Sequence, residues 1–184
     1  MTSSLTLAQL VDLNRNRWTI SVLADLAAHG GARFVELVNR LGIARDSLVR
    51  TLNAAREAGW IMPNPGHGHP LRPEYVLTPL GVAMADAVKP ILATQRQLAI
   101  APGGLTRWGL PLIRTIEDGH RRFNAMSRRL SPASPRAVSQ ALQSLTRHEI
   151  VTRDLVDGFP PISRYGLTDR GTMLSRAMAR PGHL

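Results

Sequence analysis

Between positions 45 and 57, Leu48, Leu52 and Ala55 recur at the spacing of one helix face, and Asp46, Arg50, Asn53 and Glu57 fall on the opposite one. Arg45 and Ser47 stand at the start of the same stretch. These are candidate base readers, of types that can pair with base edges. An arginine fork matches guanine O6 and N7, a carboxamide matches adenine N6 and N7, and each good pair discriminates by about 1 to 3 kcal/mol. Ninety residues further on, Arg136, Gln140, Gln143 and Arg147, with Ser139 beside them, oppose Val138, Leu142 and Leu145, and Ser134 precedes the stretch. Arg72, with His67 and His69, lies in a Pro/Gly-rich loop after the first stretch; Arg153 and Arg164 flank a loop after the second. Cations so placed would touch phosphate or a minor groove. His67 and His69 also suggest a metal pair, but neither cysteine nor an acidic cluster accompanies them, so solvent-facing histidines and no metal are expected. Every surface helix has a solvated polar face. The two faces therefore acquire meaning only from the elements around them.

Those elements repeat. Trp18 and Trp108, Leu52 and Leu142, Pro70 and Pro160, Tyr75 and Tyr165, Leu77-Thr78 and Leu167-Thr168, Gly81 and Gly171 are each 90 positions apart. Arg33-Phe34 matches Arg122-Phe123 at 89, which places a one-residue insertion in the second copy between Phe123 and Val138. In the first copy, Trp18, Val22, Leu23 and Leu26 follow helical spacing up to Gly30-Gly31. Phe34, Leu37, Val38 and Leu41 predict a second helix, and a turn at Gly42 leads to the third, which ends at Gly59. Trp60 to Met62 and Tyr75 to Leu77 predict strands around a basic loop, a wing. The second copy repeats this plan: Ser134 can cap a helix that begins at Pro135, and strands near Ile150 to Arg153 and Tyr165 to Leu167 flank a loop over Asp157 to Ser163. Outside the copies, Thr6 and Gln9 form a capping-box pattern before a helix carrying Leu10 and Leu13, and Pro79 to Ile100 predicts a long helix bent or broken at Pro90. The three tryptophans fall on apolar faces and are expected in the core. The fold expected is mainly α with short β-hairpin wings: a winged domain over 1–89, a connecting helix and linker over 90–106, and a second winged domain over 107–184.

Composition narrows the function. Lys and Arg number 23 against 13 Asp and Glu, for a net +10, and Lys89 is the one lysine. Such a chain attracts polyanions, and Arg in place of Lys favours planar, bidentate recognition; a GC-rich coding sequence would also raise arginine without reference to function. The absence of cysteine excludes disulfides, thiolate metal sites, a nucleophilic Cys and thiol redox sensing. No uncharged apolar run of 18 residues and no basic-then-apolar leader occur, so a cytoplasmic protein off the membrane is expected. No Gly-rich phosphate loop follows a strand, no Gly-x-Ser-x-Gly occurs, and the six histidines are scattered. Catalysis and a bound cofactor are not expected.

The ordered set Arg17-Trp18-Thr19-Ile20, Arg33 to Leu37, Leu48 to Leu52, and Pro70 to Gly81 with Glu74-Tyr75 and Leu77-Thr78 resembles the HxlR-type winged-helix regulators of the MarR-like group. The second copy resembles a degenerate version, with Met126 and Ala125 where the family has Leu and Glu, and Pro111 in the first turn of its helix. The resemblance implies a bacterial transcriptional regulator on double-stranded DNA, its third helix in the major groove and its wing on the adjacent backbone. Family members usually act as homodimers; here one chain can be a pseudo-dimeric monomer, with a further homodimer open because the N-terminal helix has no assigned partner. A small-molecule effector would bind between the domains. The alternative reading is a winged-helix module that binds protein or sequesters a small molecule, one or both copies having given up DNA. Asymmetry is also expected: Arg17 to Leu80 holds seven Arg and five acids, net +2, whereas Arg107 to Arg170 holds eleven Arg and six acids, net +5. At the offset of 90, Asp46 and Glu57 correspond to Arg136 and Arg147.

Overall fold

The computed structural model describes residues 5–65, 74–101, 103–156 and 162–179. The first repeat runs α1 (Leu7–Leu13), α2 (Thr19–His29), β1 (Ala32–Arg33), α3 (Phe34–Leu41), α4 (Arg45–Glu57), β2 (Ile61–Pro63), β3 (Glu74–Leu77) and α5 (Pro79–Gln97). The second runs α6 (Gly109–Glu117), α7 (Phe123–Arg129), α8 (Pro135–Arg147), β4 (Val151–Val156), β5 (Ile162–Leu167) and α9 (Asp169–Ala179). The architecture is mostly helical, with small antiparallel sheets.

Local chemistry sets the ends of these elements. Thr6 Oγ1 accepts from the Gln9 N–H at 3.2 Å while Gln9 Oε1 accepts from the Thr6 N–H at 2.9 Å, so α1 begins with a capping box. Gly30 and Gly42 close α2 and α3 in the left-handed conformation. Each repeat then uses one device to turn from sheet to helix. Thr78 Oγ1 accepts from the Gly81 N–H at 3.0 Å and donates to the Gly59 carbonyl at 2.6 Å; Thr168 does the same with Gly171 at 3.1 Å and Glu149 at 2.7 Å. A Cβ at Gly81 would collide with the Trp60 carbonyl, and one at Gly171 with the Ile150 carbonyl. The repeated Leu-Thr and Gly pairs are thus a capping residue and a close approach of helix to strand.

Three features depart from the sequence expectation. A short strand, β1, joins the first sheet in the order β1-β3-β2, pairing Ala32 with Tyr75 and Arg33 with Glu74. Two residues give too short a pattern to read; its counterpart in the second repeat shrinks to one bridge between Arg122 and Arg164. The strands of the second wing reach Val156 and start again at Ile162, so Ile162 and Ser163 belong to the ladder and not to the loop. Helix α5 continues through Pro90. Proline removes one backbone bond there, but Met84, Ala85 and Val88 before it and Ile91 and Leu92 after it are buried, and packing outweighs the local cost.

The core is one cluster through both repeats. Helix α1 packs on α6 of the second repeat, α5 on α2 of the first, and α5 also packs on α9. Leu10 and Leu13 are fully buried, so the helix left without a partner in the sequence has one within the chain. The leading helix of the first repeat therefore completes the second.

Among the described residues two ordinary residues take the left-handed conformation, Ala99 (φ 55) after α5 and Glu149 after α8. Gly59 (φ 71) leaves α4 in the left-handed region, and its counterpart after α8 is Glu149 (φ 56), which has a Cβ to accommodate there. The left-handed region costs an ordinary residue roughly 1 to 2 kcal/mol, and a carboxylate at a helix C-terminus also opposes the dipole. Glu149→Gly is expected to raise stability by about 1 kcal/mol, measured by urea unfolding. An unchanged or lower midpoint would show that the exposed Glu149 makes a compensating contact.

Candidate nucleic-acid interface

Helix α3, the turn at Gly42 and α4 place Leu48, Thr51, Leu52 and Ala55 inward, which forces Arg45, Asp46, Arg50, Asn53, Arg56 and Glu57 outward. Ser47 is half-buried and accepts from Arg50 Nη2 at 3.3 Å, a contact that steadies the guanidinium at one end of the face. Sequence reasoning passed over Val49. It is 45% exposed on the outer side of α4, and its counterpart at the offset of 90 is Ser139, which is half-buried. The 100° rule would have found it, since Val49 lies well off the Leu48–Leu52 line.

Helix α8 repeats the arrangement with a stronger N-terminus. Ser134 Oγ accepts from the Ala137 N–H at 3.2 Å, so this hydroxyl serves the helix cap. Val138, Ala141, Leu142, Ser144 and Leu145 are buried, and Arg136, Gln140, Gln143 and Arg147 are exposed. None of these four makes a side-chain hydrogen bond or ion pair within the described residues, so each donor fork and carboxamide is open to an external partner.

In the second wing, Arg153 donates through Nε and Nη2 to Ser163 Oγ at 3.1 and 3.0 Å, a fixed position across the β4–β5 ladder. Arg164 stands between Asp154 on β4 and Arg122 on the preceding segment, which the Tyr165 N–H to Arg121 carbonyl bond of 2.8 Å ties to β5. The equivalent position in the first repeat is Glu74, opposite Arg33, and its Oε2 accepts from Asn64 Nδ2 at 2.6 Å. A third acid of the first repeat is thus an arginine in the second. Arg121, Arg122, Arg128 and Arg129 are exposed cations that the sequence reading did not single out; the Glu74-to-Arg164 exchange at the same offset was the signal available. Arg72, His67 and His69 lie outside the described residues. Trp60 and Trp108 are buried and Trp18 half-buried, with the Arg17 and Arg107 guanidinium carbons over the Trp18 and Trp108 rings at 5.1 and 5.2 Å. Among the described residues no group of three or more His, Asp or Glu could hold a metal ion, and no helix is long and apolar enough to cross a membrane.

Two helix-turn-helix units, each followed by strands that form a wing, and each with an outward polar third helix, define a tandem winged-helix protein. The sequence matches the HxlR-like helix-turn-helix family twice, over residues 13–99 and 105–180, and the chain belongs to that family. It is 28% identical over 74 residues to the uncharacterized HTH-type transcriptional regulator YtfH of Escherichia coli (strain K12), covering 40% of this chain and 59% of that protein. It is 31% identical over 68 residues to the HTH-type transcriptional regulator YodB of Bacillus subtilis (strain 168), covering 37% of this chain and 61% of that one. The chain thus spans about three fifths of the curated relatives it matches. Among solved structures, diamide-treated YodB from B. subtilis aligns at 27% identity with a TM-score of 0.39, over 46% of this chain and 80% of that chain. Its reduced form aligns at 26% and 0.38 over 47% and 80%.

Proposed function

We propose that this chain is a DNA-binding transcriptional regulator in which two winged-helix units, 1–89 and 107–184 with a connector over 90–106, read one duplex from a single polypeptide. The observation that carries the reading is the pair of exposed outer faces, on α4 and on α8, at the third-helix position of two helix-turn-helix units of one regulator family. Each would lie in a major groove, Arg45, Asp46, Ser47, Arg50 and Asn53 on one side and Arg136, Ser139, Gln140, Gln143 and Arg147 on the other. Val49 adds an apolar contact suited to a thymine methyl. Arg72, Arg153 and Arg164 would hold phosphates, and Ser134 would set the N-terminus of α8 toward the backbone. The protein would work in the cytoplasm as a pseudo-dimeric monomer, on half-sites about one helical turn apart.

Selection of bound sequences from random duplexes, followed by affinity measurements over a salt series, tests this. Affinity is expected to fall steeply with salt, because each neutralised phosphate releases counterions, and selected duplexes should outcompete random ones. Arg50→Ala should relax one base position by about 1 to 3 kcal/mol. Equal affinity for selected and random DNA at physiological salt would reduce the protein to a nonspecific polycation.

A second reading has one observation in its favour. Asp46 and Glu57 put two acids on the face of α4, as expected of a repeat that has left DNA and kept its fold for a protein or small-molecule partner. Footprinting separates the two: one protected half-site supports this second reading, two support the first.

A further inference from the structure

A cavity of about 320 Å³ lies where α2 and α3 of the first repeat meet the C-terminal part of α5. Its walls are largely apolar, with the half-buried Trp18 indole, Leu41, Leu92 and Ile100 among them. Two buried polar side chains also line it: Ser21, 7% exposed, and Gln95, 6% exposed. Neither makes a side-chain hydrogen bond to any described residue. Their polar atoms keep some contact with solvent, unlike the sealed Thr106 Oγ1 and Ser175 Oγ, so both are open to a hydrogen-bonding partner that enters the cavity. A void of about 20 Å³ on their far side has room for one water, which leaves most of the capacity of a carboxamide and a hydroxyl unused.

The charges at the cavity define the ligand. Arg40 donates from Nε to both Asp25 carboxylate oxygens at 3.1 Å and from Nη2 to Oδ2 at 2.7 Å, and His29 Nδ1 lies 3.5 Å from Oδ1. The same hydrogen bond raises the Arg40 pKa above its ordinary value, against the opposing effect of burial. The carboxylate is therefore neutralised already, and Arg96, the other arginine lining the cavity, is exposed and stays in water, so a charged group brought to the inner wall would lose hydration without a buried counter-ion. A neutral donor-acceptor group meets no such penalty.

We propose that this cavity is a binding site for one small, mainly apolar molecule bearing a neutral hydrogen-bonding group, an amide or phenol, held by Gln95 and Ser21 beside the Trp18 indole. Among the described residues the second repeat does not carry the same polar groups. Pro111, Thr115 and Gly119 replace Ser21, Asp25 and His29 at the offset of 90, and Thr115 Oγ1 is committed to the Pro111 carbonyl at 2.8 Å. In the corresponding groove beside Arg129 and Leu130, the Thr6 hydroxyl is engaged in the α1 cap. The stoichiometry is one per chain. Because the cavity is bounded by α2, α3 and the α5 segment that leads into the second repeat, an occupant would bear on the spacing of the two units; this consequence, unlike the binding itself, rests on the DNA reading.

The test titrates benzamide and phenol, with benzoate and benzylammonium as charged counterparts, into the ¹⁵N-labelled full chain. Saturable shifts of the Gln95 carboxamide and the Trp18 indole N–H, at one site per chain and at least tenfold tighter for the neutral probes, are expected. Gln95→Leu should weaken benzamide at least tenfold while leaving the melting temperature equal or higher, since it removes an unpaired amide. No saturable response at either signal, shifts centred on Arg129 and α1, or equal binding of charged probes would each overturn the site. Benzamide bound without altering the affinity for a selected duplex would overturn the coupling. A protein that binds benzamide but no specific duplex would keep the site and remove the DNA reading.

Discussion

The double substitution Leu10→Ala and Leu13→Ala is expected to loosen the second repeat more than the first, although both residues precede the first repeat in the chain. Helix α1 has seven residues, too few to hold its shape alone, and it exists because its apolar face is covered by α6. Both leucines are fully buried. Each truncation removes transferred apolar surface and leaves a cavity, at about 2 to 5 kcal/mol per site. Neighbouring sites do not add strictly, but a combined loss on the order of 5 kcal/mol is a large share of the stability of an ordinary domain. Hydrogen exchange locates the damage. Protection should fall furthest in α6 and α9, and the urea midpoint should drop substantially. Equal loss in α3 and α4, or a midpoint close to that of the parent chain, would contradict the covering of the second repeat by α1.

Recasting the outer face of α8 in the charges of α4, by Arg136→Asp with Arg147→Glu, is expected to reduce affinity for a selected duplex by at least about 100-fold at physiological salt. On the proposed DNA reading, two cations that would each neutralise a phosphate are removed, and two anions that would face the backbone replace them. The slope of log affinity against log salt should shrink by about 2, close to one unit for each phosphate no longer neutralised. The mirror change, Asp46→Arg with Glu57→Arg, should tighten binding and steepen the slope while lowering discrimination, because the first repeat gains attraction for any sequence. All four positions are solvent-exposed, so the fold should tolerate the exchanges and circular dichroism serves as the control. Equal slopes in all variants would place these residues off the DNA.

Much of the fold was legible in the residues. Periodic leucines, the Thr6–Gln9 and Ser134–Pro135 helix starts and the glycines after α2 and α3 act over a few residues, and local geometry suffices to read them. The duplication was legible because Trp, Pro and Thr-x-x-Gly stay in register at 90. Polar faces of α4 and α8 could be read from periodicity, but whether their side chains were free could not. Ser47 partly engages Arg50, Ser134 caps α8, and Arg153 is fixed by Ser163. Those outcomes depend on rotamers and cross-strand neighbours.

By itself the sequence determined the element types, the two tandem units, the excess of arginine and its concentration in the second repeat. These follow from short-range spacing and from counting. Only the tertiary structure decided which helix covers which face: that α1 closes the second repeat, that α5 runs unbroken through Pro90, and that Ser21 and Gln95, 74 positions apart, line one cavity without hydrogen-bond partners. The reason is physical. Burial of an apolar stripe is favourable against any complementary surface, so periodicity announces that a face must be covered without naming its cover, and the choice is made by the packing of the whole chain.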